Sequence, residues 1–182
     1  IQRCLNVILQ VVYEPHPAAH GFVLDKSIVD NAKIHVNSNY VYNIDLKDFF
    51  PSIDQARVWK TLQLPPFNLG LYLPKDGTFE VQKSGVIIDG NPVKYGNPIN
   101  LLFARERLML NNIICALVCY EMEVERLDEK TGEWKKVIRN VLPQGAPTSP
   151  TITNIVCRKL DFILNGVAKR FNLKYSDRKS VV

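Results

Sequence analysis

Two acidic side chains, Asp45 and Asp48, lie in a short segment of apolar and aromatic residues, residues 43–53, with the sequence NIDLKDFFPSI. Strand-forming residues precede Asp45, so a strand over residues 40–46 would end near it and present the carboxylate to a cleft. Carboxylates placed in this way hold the magnesium ions that assist phosphoryl transfer. Taken alone, however, an aspartate at the end of a strand is more often a turn former or a helix cap.

A second segment, residues 142–150 with the sequence LPQGAPTSP, has the composition of a ligand-binding turn. Prolines on either side of Gln144 and Gly145 stiffen the backbone, and the glycine permits close approach of the main chain to a ligand. A proline-rich turn that merely precedes a helix is the alternative. The specificity of the prediction comes from the two segments together.

Both segments closely resemble parts of a reverse transcriptase palm. The resemblance implies an RNA-directed DNA polymerase, a nucleotidyltransferase in which carboxylates hold two magnesium ions. It makes Asp45 the catalytic, first metal-binding aspartate and the Leu46 carbonyl its backbone companion at the metal.

The same resemblance assigns nucleotide-binding roles to five residues. The N–H groups of Asp48 and Phe49 would meet the triphosphate, and Phe50 would lie under the sugar and exclude a 2′-hydroxyl. Gln144 would pack against the sugar, and Gly145 would offer its N–H to a phosphate. Phe50 could instead be a core residue, although we expect Phe49 to be the core residue of the pair.

The resemblance narrows to retron-like and group II intron-like prokaryotic reverse transcriptases. Residues 16–22 (HPAAHGF) and residues 31–35 (NAKIH) look like the segment that precedes the acidic strand in these enzymes. In that family His35 would order the region near the template, although a structural histidine is the preferred interpretation. Lys26 stands where an arginine is common, which makes a phosphate contact an open hypothesis.

We expect residues 1–176 to be a partial reverse transcriptase domain, a fingers remnant and palm without the Tyr-x-Asp-Asp segment that supplies the other metal-binding aspartates. Residues 177–182 (DRKSVV) are interpreted as a non-native tail, because one choice of codons for them spells a common sequencing adapter. The two-metal site would then be incomplete, and the fragment by itself inactive.

The predicted fold class is α+β, a right-hand polymerase fingers/palm fragment in which helices pack a mixed sheet with two inserted hairpins. Ser27 and Asp30 form a capping-box pattern, and Asp54 is the expected cap of the next helix. Apolar spacing and turn signals predict helices over residues 1–12, 28–35, 56–62, 98–119 and 149–171, and hairpins over residues 86–93 and 121–141.

Composition is compatible with a nucleic-acid partner without establishing one. The chain has 182 residues, 46% of them apolar, and a net charge of +5, which favours polyanionic partners only mildly. Four scattered cysteines predict neither a disulfide framework nor a zinc site. The longest apolar stretch, within residues 108–119, is too short for a membrane span, so the chain is interpreted as cytoplasmic. The resemblance implies that it is prokaryotic.

The expected partners are an RNA template, a DNA or RNA primer and dNTPs, with a linked noncoding RNA as a further possibility and no membrane. Two alternatives stay open: a non-catalytic, maturase-like RNA-binding module, and an RNA-templated RNA polymerase. Phe50 argues against the second alternative, because a small residue is expected where ribonucleotides must enter. Retron, intron and other defence or mobile elements are not separated by the sequence.

Overall fold

The computed structural model describes residues 1–70, 79–82, 85–88, 91–92 and 98–177, and these residues form an α+β fold. Its helices are α1 Gln2–Val12, α2 Ile28–His35, α3 Gln55–Leu62, α4 Pro98–Val118 and α5 Ser149–Arg170. Its strands are β1 Phe79–Gln82, β2 Gly85–Ile88, β3 Asn91–Pro92, β4 Tyr120–Leu127 and β5 Trp134–Val141. The predicted fold class is therefore confirmed at the level of α+β.

The described strands form two antiparallel sheets, in the orders β1-β2-β3 and β4-β5. The predicted mixed sheet is absent from these residues, which contain one isolated parallel bridge, between Ala19 and Asp177. The hairpin predicted over residues 86–93 is present as the β2-β3 pair. Asp89 and Gly90, which would form its turn, lie outside the described residues, as do residues 71–78 and 93–97.

No strand forms over residues 40–46, contrary to the prediction. A strand requires a neighbour that accepts and donates backbone hydrogen bonds, and within the described parts of the chain no backbone hydrogen bond reaches this segment. Strand-forming composition alone therefore does not produce a strand here. Tyr40 and Tyr42 are almost fully exposed.

The helix starts follow local capping chemistry in one case and not in another. Ser27 and Asp30 form the predicted reciprocal capping box at the start of α2. Asp54 occupies the N-cap position of α3, but its side chain makes no cap hydrogen bond. The predicted N-cap position of Asp54 is therefore confirmed, but no side-chain cap forms, and its Oδ1 accepts a hydrogen bond from Arg126.

One hydrophobic core joins the helices to both segments singled out in the sequence. Helix α3 packs against α4 and α5, and α1 packs against α5. Phe50, Ile53 and Leu142 belong to the same buried cluster as residues from all four of these helices. Because core contacts are close-packed, the two segments share one rigid foundation.

Candidate active site

The segment of the candidate aspartates changes from exposed to buried within a few residues. Asp45 is exposed, and its Oδ1 accepts a hydrogen bond of 3.0 Å from the N–H of Leu46. Asp48 has a φ of 49°, in the left-handed region that aspartate tolerates better than most residues. The segment thus presents Asp45 and Asp48 to solvent while its end enters the core.

Phe50 is the more deeply buried of the two phenylalanines, with 5% of its surface exposed, whereas Phe49 is half-buried. The expectation that Phe49 is the core residue is therefore wrong. The rings of Phe49 and Phe50 are 5.8 Å apart between centroids, and Phe22 contacts Phe50 edge-on at 6.5 Å. These aromatic contacts hold Phe50 in one position beneath the exposed acidic turn.

A hydrogen-bonded turn over residues 48–53 contains Phe50. The N–H of Ser52 donates to the carbonyl of Asp48 at 2.9 Å, and the Ser52 hydroxyl donates to the carbonyl of Phe49 at 2.6 Å. The N–H of Ile53 donates to the carbonyl of Phe50 at 3.0 Å. The Ser52 N–H also donates to the carbonyl of Phe49 at 3.2 Å. Four hydrogen bonds over six residues make this a defined turn.

In the second segment, the backbone requires a glycine at residue 145. Gly145 has a φ of 86°, and a Cβ added there would meet no atom within 4 Å. The requirement is therefore conformational rather than steric. Gln144 and Gly145 are exposed, whereas Leu142 and Ser149 on either side are buried, and the Ser149 hydroxyl donates to the carbonyl of Pro143 at 2.7 Å.

The structure brings the bases of the two segments into direct contact. The N–H of Leu142 donates to the carbonyl of Ile53 at 3.1 Å, and Asp54 forms an antiparallel bridge with Val141. Ile53, Val141 and Leu142 are each no more than 1% exposed. These buried backbone contacts therefore fix the end of the first segment, at Ile53 and Asp54, relative to the start of the second.

Sequence reasoning missed Arg126, which binds this junction from β4. Its Nη2 donates to Oδ1 of Asp54 at 2.6 Å and to the carbonyl of Pro51 at 3.0 Å. The hairpin register contains a signal for it, because Arg126 stands opposite Lys135 and like charges in that position require acidic partners elsewhere. Asp128 is the partner of Lys135, at 2.7 Å.

His35 and Lys26, for which the sequence left functional roles open, both contact other parts of the chain. His35 Nε2 lies 2.7 Å from the Ser176 hydroxyl oxygen, which agrees with a structural role for this histidine. Lys26 Nζ donates to the carbonyls of Pro17 and Ala19, each at 2.7 Å. Burial lowers the pKa of Lys26.

Two tyrosines, Tyr13 and Tyr175, have strongly raised pKa values. Burial raises the pKa of Tyr13 to about 12, with its hydroxyl donating to the carbonyl of Asn154 at 2.9 Å. Burial and the nearby carboxylate of Asp161 raise the pKa of Tyr175, whose hydroxyl donates to Asp161 at 3.0 Å. Both phenols therefore remain neutral donors at physiological pH.

The described residues do not by themselves fit a two-metal site. Among them, no three His, Cys, Asp or Glu side chains come together in a way that could hold a metal ion. Asp45 is thus a single candidate ligand in this part of the chain. Within the same residues, no helix is both long and apolar enough to cross a membrane.

No protein-family model matches the chain, but individual proteins do. The class they define is reverse transcriptase. The chain is 32% identical over 163 residues to the retron Mx162 reverse transcriptase of Myxococcus xanthus. The aligned region is 88% of the chain and 25% of that protein. It is 30% identical over 176 residues to the retron Mx65 reverse transcriptase of the same organism, an alignment over 97% of the chain and 32% of that protein. It is 25% identical over 160 residues to the retron Ec86 reverse transcriptase of Escherichia coli, an alignment over 88% of the chain and 32% of that protein.

These matches confirm the resemblance predicted from the motifs. The chain is similar to retron reverse transcriptases along most of its own length. It spans about a quarter to a third of the length of these three relatives.

Proposed function

We propose that this chain is part of a retron-like RNA-directed DNA polymerase, which synthesises DNA on an RNA template by nucleotidyl transfer. The observation that carries the proposal is the buried junction of Ile53 with Leu142, because it sets side by side the two segments that resemble a nucleotide site. The similarity to retron reverse transcriptases supports the same reaction class. The whole protein would have the right-hand fingers and palm arrangement predicted from the sequence.

In this proposal, the exposed turn and the Gln144–Gly145 loop form two sides of the nucleotide site. Asp48 and Phe49 contribute backbone N–H groups to the triphosphate, which main-chain donors can bind well. Phe50 supports the sugar from below, and Gln144 and Gly145 close the other side. The exposure of Gly145 supports its role, because a residue without a side chain leaves its N–H open to a ligand.

Asp45 and the carbonyl of Leu46 are proposed as magnesium ligands, but they form only part of a site. The remaining carboxylates would come from the Tyr-x-Asp-Asp segment of the complete protein. Magnesium bound by one carboxylate and water is held weakly. We therefore expect the 182-residue chain to lack polymerase activity by itself.

The proposed partners are an RNA template, a DNA or RNA primer and dNTPs, and a linked noncoding RNA is proposed by analogy with retrons. Template, primer and nucleotides meet in the cytoplasm of a prokaryote, which is the proposed site of action. The net charge of +5 agrees with a polyanionic partner.

The test is primer extension by the full-length product of the gene that encodes this chain, with an RNA template, magnesium and dNTPs. We expect DNA synthesis that requires the template. RNA binding without any extension would overturn the polymerase proposal in favour of a non-catalytic module. Extension with ribonucleotides in preference to dNTPs would instead indicate an RNA-templated RNA polymerase.

A further inference from the structure

The β4-β5 hairpin contacts both sides of the proposed nucleotide site. At its base, β5 ends at Val141 and continues directly into Leu142 and the Gln144–Gly145 loop. Along β4, Arg126 reaches across to the turn that follows Phe50. Any change in the position of the hairpin therefore acts on both sides of the site.

Arg126 is built to hold that turn in one place. Its guanidinium bonds a backbone carbonyl, Pro51, and a carboxylate, Asp54, three residues further along. One amino group, Nη2, donates both hydrogen bonds, and the planar guanidinium fixes the directions of its N–H groups, which a freely rotating ammonium does not. The Arg126 side chain is 30% exposed and that of Asp54 is 44% exposed, so the pair is partly shielded from water.

A second ion pair from the same strand reaches the beginning of the acidic segment. Lys47 Nζ lies 3.2 Å from Oε2 of Glu125. Lys47 is 79% exposed in its side chain, and such a pair contributes little energy. Arg126 is therefore the principal contact between β4 and the turn, and Glu125 is an auxiliary one.

We propose that Arg126 is a positioning residue for the incoming nucleotide. By holding Pro51 and Asp54 against Val141 and Leu142, it sets the spacing between Phe50 and the Gln144–Gly145 loop. The inference rests on the proposed function, since the nucleotide is the ligand that this spacing serves. Small displacements of positioned groups are costly in enzymes, which gives a side chain outside the site its influence.

The experiment compares variants of the full-length enzyme in steady-state primer extension with varied dNTP. Arg126→Gln removes the charge and the planar guanidinium, whereas Arg126→Lys keeps the charge alone. The matched control is Lys135→Gln, which removes the ion pair with Asp128 on the same hairpin. We expect Arg126→Gln to raise the KM for dNTP about fivefold with little change in kcat, because uniform nucleotide binding is lost.

Two further results separate positioning from a general loss of structure. Arg126→Lys should restore part of the affinity, and Arg126→Gln combined with Asp54→Asn should be no worse than the more affected single variant, since both remove one interaction. Misfolding would lower the active fraction without changing the KM of the molecules that remain active. If Arg126→Gln and Lys135→Gln had the same KM for dNTP, the proposal would be overturned.

A measurement that needs no catalysis distinguishes failure of this inference from failure of the proposed function. Hydrogen exchange of the Leu142 amide, which bonds the Ile53 carbonyl, should accelerate in Arg126→Gln and stay unchanged in Lys135→Gln. Absence of extension in the wild-type protein would refute the polymerase proposal. Unchanged exchange at Leu142 would refute the positioning role whether or not the wild-type protein extends primers.

Discussion

Phe50 contributes to the core and is also the proposed nucleotide contact. Its ring is 5% exposed and touches both Phe22 and Phe49. An aromatic ring packed on other rings is a better barrier to a 2′-hydroxyl than a loosely packed one, because the packing opposes the rotation that would relieve the clash. Burial of Phe50 is therefore compatible with its proposed role.

We expect Phe50→Val in the full-length enzyme to increase ribonucleotide use relative to dNTP use by about tenfold, because selectivity is a difference in transition-state binding. The substitution also removes core volume and should destabilise the fold by about 2 kcal/mol or more. The ratio of the two kcat/KM values is the measurement, since loss of folded protein cancels in it. Phe49→Val is the control, and an equal ratio in both variants would identify Phe50 as core alone.

Asp45 is expected to matter for catalysis and not for folding. Its carboxylate is exposed and bonds only the adjacent Leu46 N–H among the contacts described, so Asp45→Ala should change stability by less than about 0.5 kcal/mol. In the full-length enzyme it should abolish primer extension while RNA binding persists, since phosphate contacts dominate that affinity. Glu129→Ala removes another exposed carboxylate as a control. Extension at the wild-type rate in Asp45→Ala would exclude Asp45 from the site.

At the scale of elements, α1 and α5 pack against each other in the core that also contains Phe50 and Leu142. Tyr13, just after α1, donates to the carbonyl of Asn154 in α5, and the Asn154 side chain in turn donates to the carbonyl of Gly21 at 2.9 Å. Arg158 lies 5.8 Å from the centre of the Tyr13 ring. The pair of helices is thus joined by polar contacts as well as by the core.

The raised pKa of Tyr13 predicts a loss of stability in alkaline solution. The unfolded phenol ionises near 10.0 and the folded one near 12, so the unfolded state binds fewer protons between these values and the free energy of unfolding falls as pH rises. Tyr13→Phe should lower stability by about 1 kcal/mol at pH 8 and flatten this decline. Urea unfolding at pH 8, 10 and 11 measures both effects.

Cys115 and Cys119 contribute a loss in the same direction, because burial raises their pKa values to about 11 and about 12. The Tyr13→Phe comparison therefore uses the difference from wild type at each pH rather than the absolute slope. An identical decline in the two proteins would show that the Tyr13 phenol does not titrate differently on folding.

At the scale of the whole molecule, the described residues leave large apolar surfaces open. The second half of α5 and the residues after it expose six large hydrophobic side chains by 44% or more: Leu160, Phe162, Ile163, Val167, Phe171 and Leu173. Contiguous exposed apolar surface promotes association. In a longer protein, additional residues could pack against this apolar surface.

We expect the purified 182-residue chain to associate at micromolar concentration and to show no primer extension. Sedimentation and extension assays measure the two properties, with the full-length gene product as the comparison. Leu164→Lys, which places a charge on the same half of α5, should reduce association without restoring activity. Template-dependent extension by the short chain, abolished by Asp45→Ala, would contradict the expectation of inactivity.

The sequence alone determined the features that depend on neighbouring residues. The capping box of Ser27 and Asp30, the long helix after residue 148 and the pairing of β4 with β5 were predictable from local chemistry and periodicity. The resemblance to reverse transcriptases was predictable because its motifs are contiguous. The roles of the individual site residues stay predictions.

Only the tertiary structure decided features that depend on partners distant in the chain. The Asp54 side chain binds Arg126, 72 residues away, and makes no cap hydrogen bond at its helix. Phe50 rather than Phe49 enters the core. Residues 40–46 form no strand because strand formation depends on a paired neighbour as well as on propensity. Local patterns specify what a segment can form, whereas long-range contacts select which of those possibilities has the lowest free energy.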